Sequence, residues 1–267
     1  MNSRKYDLGF FLLVGLLSLF AITCESNGGG GTTTCPAGNS SRTQGNDEFR
    51  RVNSIVYKGT SGSSLSEFDC SGWYPLASGD QLSTNNSGQA ELNFSSCWNG
   101  RFFIFKDSGT NFQVETCDKA SYNSPSIACV PFGNVYAGLC AGEFVVSTGS
   151  AKITKTGTSL SITYLPEDRL ITLVIVFEGR ISVDAVSIID PLEFLVPPIE
   201  VSEGYFLFTM PDDQLSPVGG LDPRIAHPIS DLPPVIDELG LQDRVGDIRD
   251  KAIEDGVLPR DWPEELG

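Results

Sequence analysis

The chain has 267 residues and a single imidazole, His227, set between Ala226 and Pro228 in a proline-rich stretch. A Ser-His-Asp unit needs a His oriented on a rigid scaffold. This setting predicts a structural or solvent-exposed ring instead. Carboxylates are the other reactive groups on offer. Glu167 and Asp168 adjoin in what reads as a turn, whereas glycoside hydrolysis needs two carboxyls across a cleft. Asp243, Asp247, Asp250 and Glu254 share one face at helical spacing. Calcium sites usually draw their ligands from a loop with a turn glycine, so these four are expected to form a solvated face opposite Leu241 and Val245. Phe102, Phe103 and Phe105 would stack on a sugar if exposed; core packing is the expectation for them. The reading therefore assigns no catalytic residue, no metal ligands and no cofactor, and expects a protein that is not an enzyme.

Seven cysteines stand at 24, 35, 70, 97, 117, 129 and 140. None forms a Cys-x-x-Cys pair, and one His cannot complete a Cys/His zinc set. A disulfide framework fits better, provided the chain leaves the cytoplasm. The N-terminus points that way. Arg4 and Lys5 precede a 16-residue apolar segment from Leu8 to Thr23. As a helix it would be roughly 24 Å long, short for a membrane span and suited to a signal peptide. Cys24 follows at once. The closing residues LSLFAITC resemble the signal of bacterial lipoproteins, with Ala21 where Leu is commonest and Thr23 where Gly, Ala or Ser is usual. That resemblance implies lipidation of Cys24 and a membrane anchor through the lipid. An uncleaved signal anchor and ordinary secretion remain alternatives, and all three place residues 35–267 outside the cytoplasm. Removing Cys24 leaves an even set of disulfide candidates: Cys35, Cys70, Cys97, Cys117, Cys129 and Cys140. Spacing does not choose their connectivity, although neighbouring β-elements suggest Cys70 with Cys97.

The elements that must position these residues read as β-structure. Leu160, Ile162 and Tyr164 alternate with Ser159, Ser161 and Thr163, which predicts a strand with one apolar face. Pro166-Glu167-Asp168 predicts a turn. Leu170 to Phe177 is an unbroken apolar run, expected to be a strand covered on both faces. Glu178-Gly179-Arg180 interrupts it, and a hairpin through Gly179 is the simplest reading. Earlier, Val52 to Tyr57 predicts a first strand. Ala90, Leu92 and Phe94 alternate before Asn99-Gly100, a strong hairpin signal, and Phe102 to Phe105 returns. Cys117 to Cys140 lacks periodicity and reads as a loop held by bridges. Ile188 to Leu195 and Tyr205 to Phe208 read as final strands. Pro217 to Pro223 marks a linker. Pro233-Pro234 opens a helix that Gly240 stops, and Leu241, Val245, Ile248 and Ala252 recur at helical spacing.

The expected organisation is thus a signal peptide over 1–23, a lipidated Cys and Gly/Thr-rich tether over 24–48, a β-domain over 49–209 with a Cys-rich insertion near 115–141, and an acidic Pro-rich linker with short helices over 210–267. The fold class is mainly β: a sandwich or short roll of antiparallel strands with a short helical tail. Net charge is −16, and the 22 acidic and 7 basic residues after Tyr164 supply most of it. Such a surface repels phosphate backbones, so no nucleic-acid partner is expected.

Particular residues then suggest a relationship. The first half contains Gly79-Asp80, Leu82-Ser83-Thr84, Gly88 and Ala90-Glu91-Leu92. The second contains Gly142 to Val146, Gly149-Ser150-Ala151, Ile153, Gly157-Thr158, and finally Val174 to Phe177, Glu178-Gly179 and Ile181 to Val183. Over roughly residues 50–209 the chain resembles the FecR domain family. That resemblance implies an extracytoplasmic, FecR-like all-β domain used in sensing or assembly through a protein partner. Namesake members sit in the inner membrane and relay a signal from an outer-membrane transporter to a sigma factor. Only Met1 to Asp7 precede the apolar segment here, so the expectation carried over is the fold and a non-catalytic role at the cell envelope, without the sigma-factor contact. Glycan or cell-wall-polymer binding through exposed aromatics is the alternative. Mass spectrometry of the mature protein is expected to find a chain that begins at a diacylated or triacylated Cys24; an intact Met1 overturns that topology.

Overall fold

The computed structural model describes residues 35–60, 62–97, 100–117, 120–138, 142–167, 169–185 and 197–260. The strands are β1 (Glu48–Asn53), β2 (Val56–Thr60), β3 (Ser66–Phe68), β4 (Tyr74–Pro75), β5 (Asp80–Thr84), β6 (Gln89–Asn93), β7 (Phe102–Ile104), β8 (Gly109–Cys117), β9 (Ala120–Ala137), β10 (Glu143–Ser147), β11 (Ala151–Leu165), β12 (Ile171–Ala185), β13 (Ile199–Ser202), β14 (Tyr205–Thr209) and β15 (His227–Pro228). Two short helices follow, α1 (Pro233–Leu239) and α2 (Gln242–Glu254). The protein is mainly β, and the strands join in one branched sheet. One arm runs β9-β7-β6-β1-β4, a second β9-β8-β5-β2-β3, and a third β9-β11-β12-β14-β15. All arms contribute to one apolar interior, including Phe49, Val56, Leu82, Leu92, Ile104, Phe112, Ile162, Val174 and Leu207. The sheet thus curls upon itself as a barrel-like sandwich.

Several expectations change. The first strand is two, β1 and β2, separated at Ser54, whose φ is +46°. Residues 117–140 were expected to be a loop. Instead β9 is the longest strand and the branch point, antiparallel to β7, β8 and β11 and parallel to β10. The periodicity is hidden for a physical reason. Ala128 and Val130 face the interior, but so do Val135 and Ala137. The inward parity switches between them, at Gly133, which has φ +87°.

The same device replaces the hairpin expected through Gly179. β11 and β12 each run 15 residues and pair from Ala151 with Ala185 to Leu165 with Ile171. The chain reverses at Pro166-Glu167 instead. Ile153 faces inward in the first half of β11, and Leu160, Ile162 and Tyr164 in the second. On β12 the inward set changes from Val174 and Val176 to Ile181 and Val183. Both changes fall at a shared register break, where Gly157 has φ +59° and Gly179 φ +84°. A Cβ on Gly179 would stand 2.8 Å from the Gly157 carbonyl oxygen. Bulges of this kind insert a residue and bend the strand.

β12 is covered on both faces, as its apolar run predicts. Val174 and Val176 enter the interior, whereas Ile171, Leu173, Ile175 and Phe177 face outward with Phe206 and Phe208 of β14. Leu232, Val235, Ile236, Leu241, Val245, Ile248 and Ala252 cover this second face. α1 ends at Gly240 in the left-handed region, as the stop signal predicts. Val218, from the stretch expected to be a linker, is fully buried in the same cluster. The strand expected at Ile188 to Leu195 lies outside the described residues.

Among the described residues two cysteine pairs are bridged. Cys35 joins Cys70 with Cα atoms 5.5 Å apart, and Cys117 joins Cys129 at 5.4 Å. The suggested Cys70–Cys97 bridge is therefore incorrect: the segment before β1 lies against the Cys70 turn, with Asn39 and Trp73 exchanging backbone hydrogen bonds. The side chain of Cys97, and Cys24 and Cys140, lie outside the described residues. Each bridge contributes about 2–4 kcal/mol, chiefly through the unfolded chain.

The parity switches can be tested at Gly133. An added Cβ would lie 2.3 Å from Ser108 Oγ and 2.5 Å from the Asp107 carbonyl oxygen. Combining left-handed strain with overpacking, Gly133→Ala is expected to destabilise by about 3 kcal/mol. Gly246→Ala, on α2 with open space around it, is expected to stabilise by about 0.5–1 kcal/mol. Denaturant midpoints of the two variants should move in opposite directions.

Candidate functional site

The residue with the most altered chemistry is one that sequence patterning passed over. Lys155 lies on β11 opposite Phe144 of β10 and Ile181 of β12. It therefore points into the interior with them, and only 2% of it is exposed. Its Nζ donates to the carbonyl oxygens of Thr158 at 2.7 Å and Gly138 at 2.9 Å, with that of Ala137 at 3.4 Å. The amine also stands 5.2 Å from the Phe144 ring centroid. No carboxylate pairs with it among the described residues, and burial lowers its pKa from 10.5 to about 7. A lysine so poised can serve as a base or nucleophile where substrate reaches it. Here Leu92, Phe94, Phe102 and Phe144 fill the surrounding space and leave no room for one. The sequence does hold the signal: Lys155 shares the parity of inward-facing Ile153, two residues before it.

The residues singled out for chemistry are dispersed. His227 lies against Phe206 and Phe208, with ring centroids 5.6 and 6.1 Å away. Its Nε2 donates to the Asp222 carbonyl oxygen at 2.9 Å, which fixes the ring in β15. Asp247 pairs with Lys106 at 3.1 Å, Asp250 with Arg249 at 2.8 Å and Glu254 with Lys251 at 2.7 Å. The Lys251 hydrogen bond holds the Glu254 carboxyl below its usual value. Asp243 is exposed on the first turn of α2, and Glu167 is exposed in the turn after β11; Asp168 lies outside the described residues. Among the described residues no group of three His, Cys, Asp or Glu is placed to hold a metal ion. Phe102, Phe103 and Phe105 are buried on alternating sides of the sheet, so none offers a ring face to a sugar. Among the described residues no helix is long and apolar enough to cross a membrane.

A second arrangement joins the helices to the sheet. Arg101, just before β7, binds Asp255 at 2.8 Å and lies 3.9 Å from Glu91. Lys251 meets Asp255 at 3.5 Å and stands 4.2 Å from the Phe103 ring centroid. Beneath them the Tyr136 hydroxyl is fully buried close to the Ser159 hydroxyl. Burial, then the Asp255 charge, pushes that phenol well above its ordinary value. Lys251 and Asp255 are only 9% and 11% exposed, so these pairs are partly shielded from solvent and are screened less than surface pairs as they fix the helices on the sheet.

No protein-family model and no curated protein sequence matches the chain. Two crystal structures of a "putative anti-sigma factor" from Parabacteroides distasonis ATCC 8503 are similar to it. Each is 12% identical with a TM-score of 0.37; the likeness covers 50% of this chain and 56% or 55% of theirs. The chain thus spans about half the length of these structures.

Lys155 makes stability depend on pH with a definite sign. Its folded pKa lies below its unfolded value, so the unfolded chain binds the extra proton between about 7 and 10.5. Stability therefore rises with pH through that window, and the full cost is present below it. The stability advantage of Lys155→Met over the wild type is expected to shrink as pH rises, by up to about 1.4 kcal/mol per pH unit. Urea unfolding of both proteins across the window checks this, and a pH-independent difference would contradict it.

Proposed function

We propose that the protein is a non-enzymatic cell-envelope lipoprotein, anchored through Cys24, whose β-domain contacts another protein in sensing or envelope assembly. The observation that carries this reading is how its two imidazole- or amine-based candidates are used. The His227 ring is fixed between two phenylalanines and a carbonyl, and the Lys155 amine is enclosed by three carbonyls. Both are consumed in holding the fold. The FecR resemblance supports the same reading, because its glycines are ones that the backbone requires. Gly88 has the Ile55 carbonyl oxygen 2.3 Å from where a Cβ would be, and Gly79, Gly157 and Gly179 all have positive φ. Glycan binding draws no support from Phe102, Phe103 and Phe105, which are buried.

Cross-linking of the tagged full chain in intact cells, followed by purification from detergent-solubilised envelopes, tests the role. One specific, stoichiometric protein partner is expected. Recovery of none, under conditions where the chain itself is folded and membrane-associated, sinks the proposal.

A further inference from the structure

A cavity of 590 Å³ lies where the turn after β11 meets α1 and α2. That volume is within the usual range of small-molecule sites. Phe132, Leu165 and Leu239 give it apolar walls, and Arg244, Asp107 and Glu167 supply its charges.

Arg244 is the unusual member. Arg101, Lys106, Arg169, Arg249 and Lys251 each meet a carboxylate. The half-buried Arg244 side chain makes no hydrogen bond or ion pair among the described residues, in a chain of net charge −16. A guanidinium keeps its charge throughout and presents a planar fork of donors matched to carboxylates. Phe132, which lines the same cavity, keeps 37% of its surface exposed.

We infer that this cavity binds a small organic monocarboxylate with an apolar aryl or alkyl body, the carboxylate on Arg244 and the body against Phe132, Leu165 and Leu239. The charge pattern sets the class. Asp107 and Glu167 are exposed carboxylates at the same cavity, so a dianion such as phosphate meets repulsion that a single carboxylate largely escapes. The site needs no protein partner, so its failure would leave the proposed envelope role standing.

The test titrates the full chain in detergent with 3-phenylpropionate and decanoate, and separately with 3-phenylpropanol and inorganic phosphate, followed by NMR. Both carboxylates are expected to shift the Phe132 and Leu239 signals saturably, while the alcohol and phosphate bind at least about tenfold more weakly. Arg244→Gln should weaken carboxylate binding by about tenfold or more. Because Arg244 has no partner to lose, the variant should keep the wild-type melting temperature. Phe132→Ala should weaken binding of both carboxylates, and Lys106→Gln should leave it unchanged. The inference is overturned if neither carboxylate shifts these signals, if the alcohol binds as well as the acid, or if binding survives Arg244→Gln.

Discussion

A strand presents alternate residues to opposite faces, so its inward set keeps one parity for as long as the strand stays regular. β9, β11 and β12 escape that constraint. Gly133 switches the inward set of β9 from Ala128 and Val130 to Val135 and Ala137. Gly157 and Gly179 switch β11 and β12 together, because they lie at one register break. The rest of the structure depends on these changes. They bend the longest strands around the interior, and they let one continuous ladder serve as a wall from end to end.

Both faces of that wall must be covered. The inner face closes on the other arms of the sheet through residues such as Phe49, Leu82, Leu92 and Phe112. The outer face carries Ile171, Leu173, Ile175, Phe206 and Phe208, which without the helices would form an exposed apolar patch. Burying each such side chain contributes about 1.5–3 kcal/mol. This is why the two short helices α1 and α2 hold on the sheet: helices of this length do not hold in water alone. Some polar atoms bear the cost of dense packing. Ser161 lies opposite Tyr136 on β9, and its small side chain leaves room for the ring, yet among the described residues its buried hydroxyl has no hydrogen-bond partner. Lys155 is the counterpart on the inner face, kept tolerable by its carbonyl acceptors, with burial lowering its pKa to about 7.

Much of this was legible wherever the local pattern is regular. The alternation from Leu160 to Tyr164, the apolar run to Phe177 and the alternation of Ala90, Leu92 and Phe94 each became the predicted strand. The helix stop at Gly240 and the apolar stripe of Val245, Ile248 and Ala252 also appear as expected. The failures share a cause. Around Gly133 and Gly179 the period breaks because parity changes, and a broken period looks like a loop or a turn. The candidate site was less legible. Lys155 was hidden in a Lys- and Thr-rich strand, and the cavity beside Arg244 draws on β9, the turn after β11, and both helices.

The sequence by itself determined the class of the protein: mainly β with a short helical tail, and an interior supplied by alternating and continuous apolar runs. Those are properties of neighbouring residues, written in periods that a single strand or helix must obey. Only the tertiary structure decided that residues 120–137 form the branch strand, that Cys70 meets Cys35, that Lys155 is buried, and that Arg244 and Phe132 line one cavity. Each of these depends on which distant segments meet, and that is set by filling two apolar faces at once, not by any local pattern.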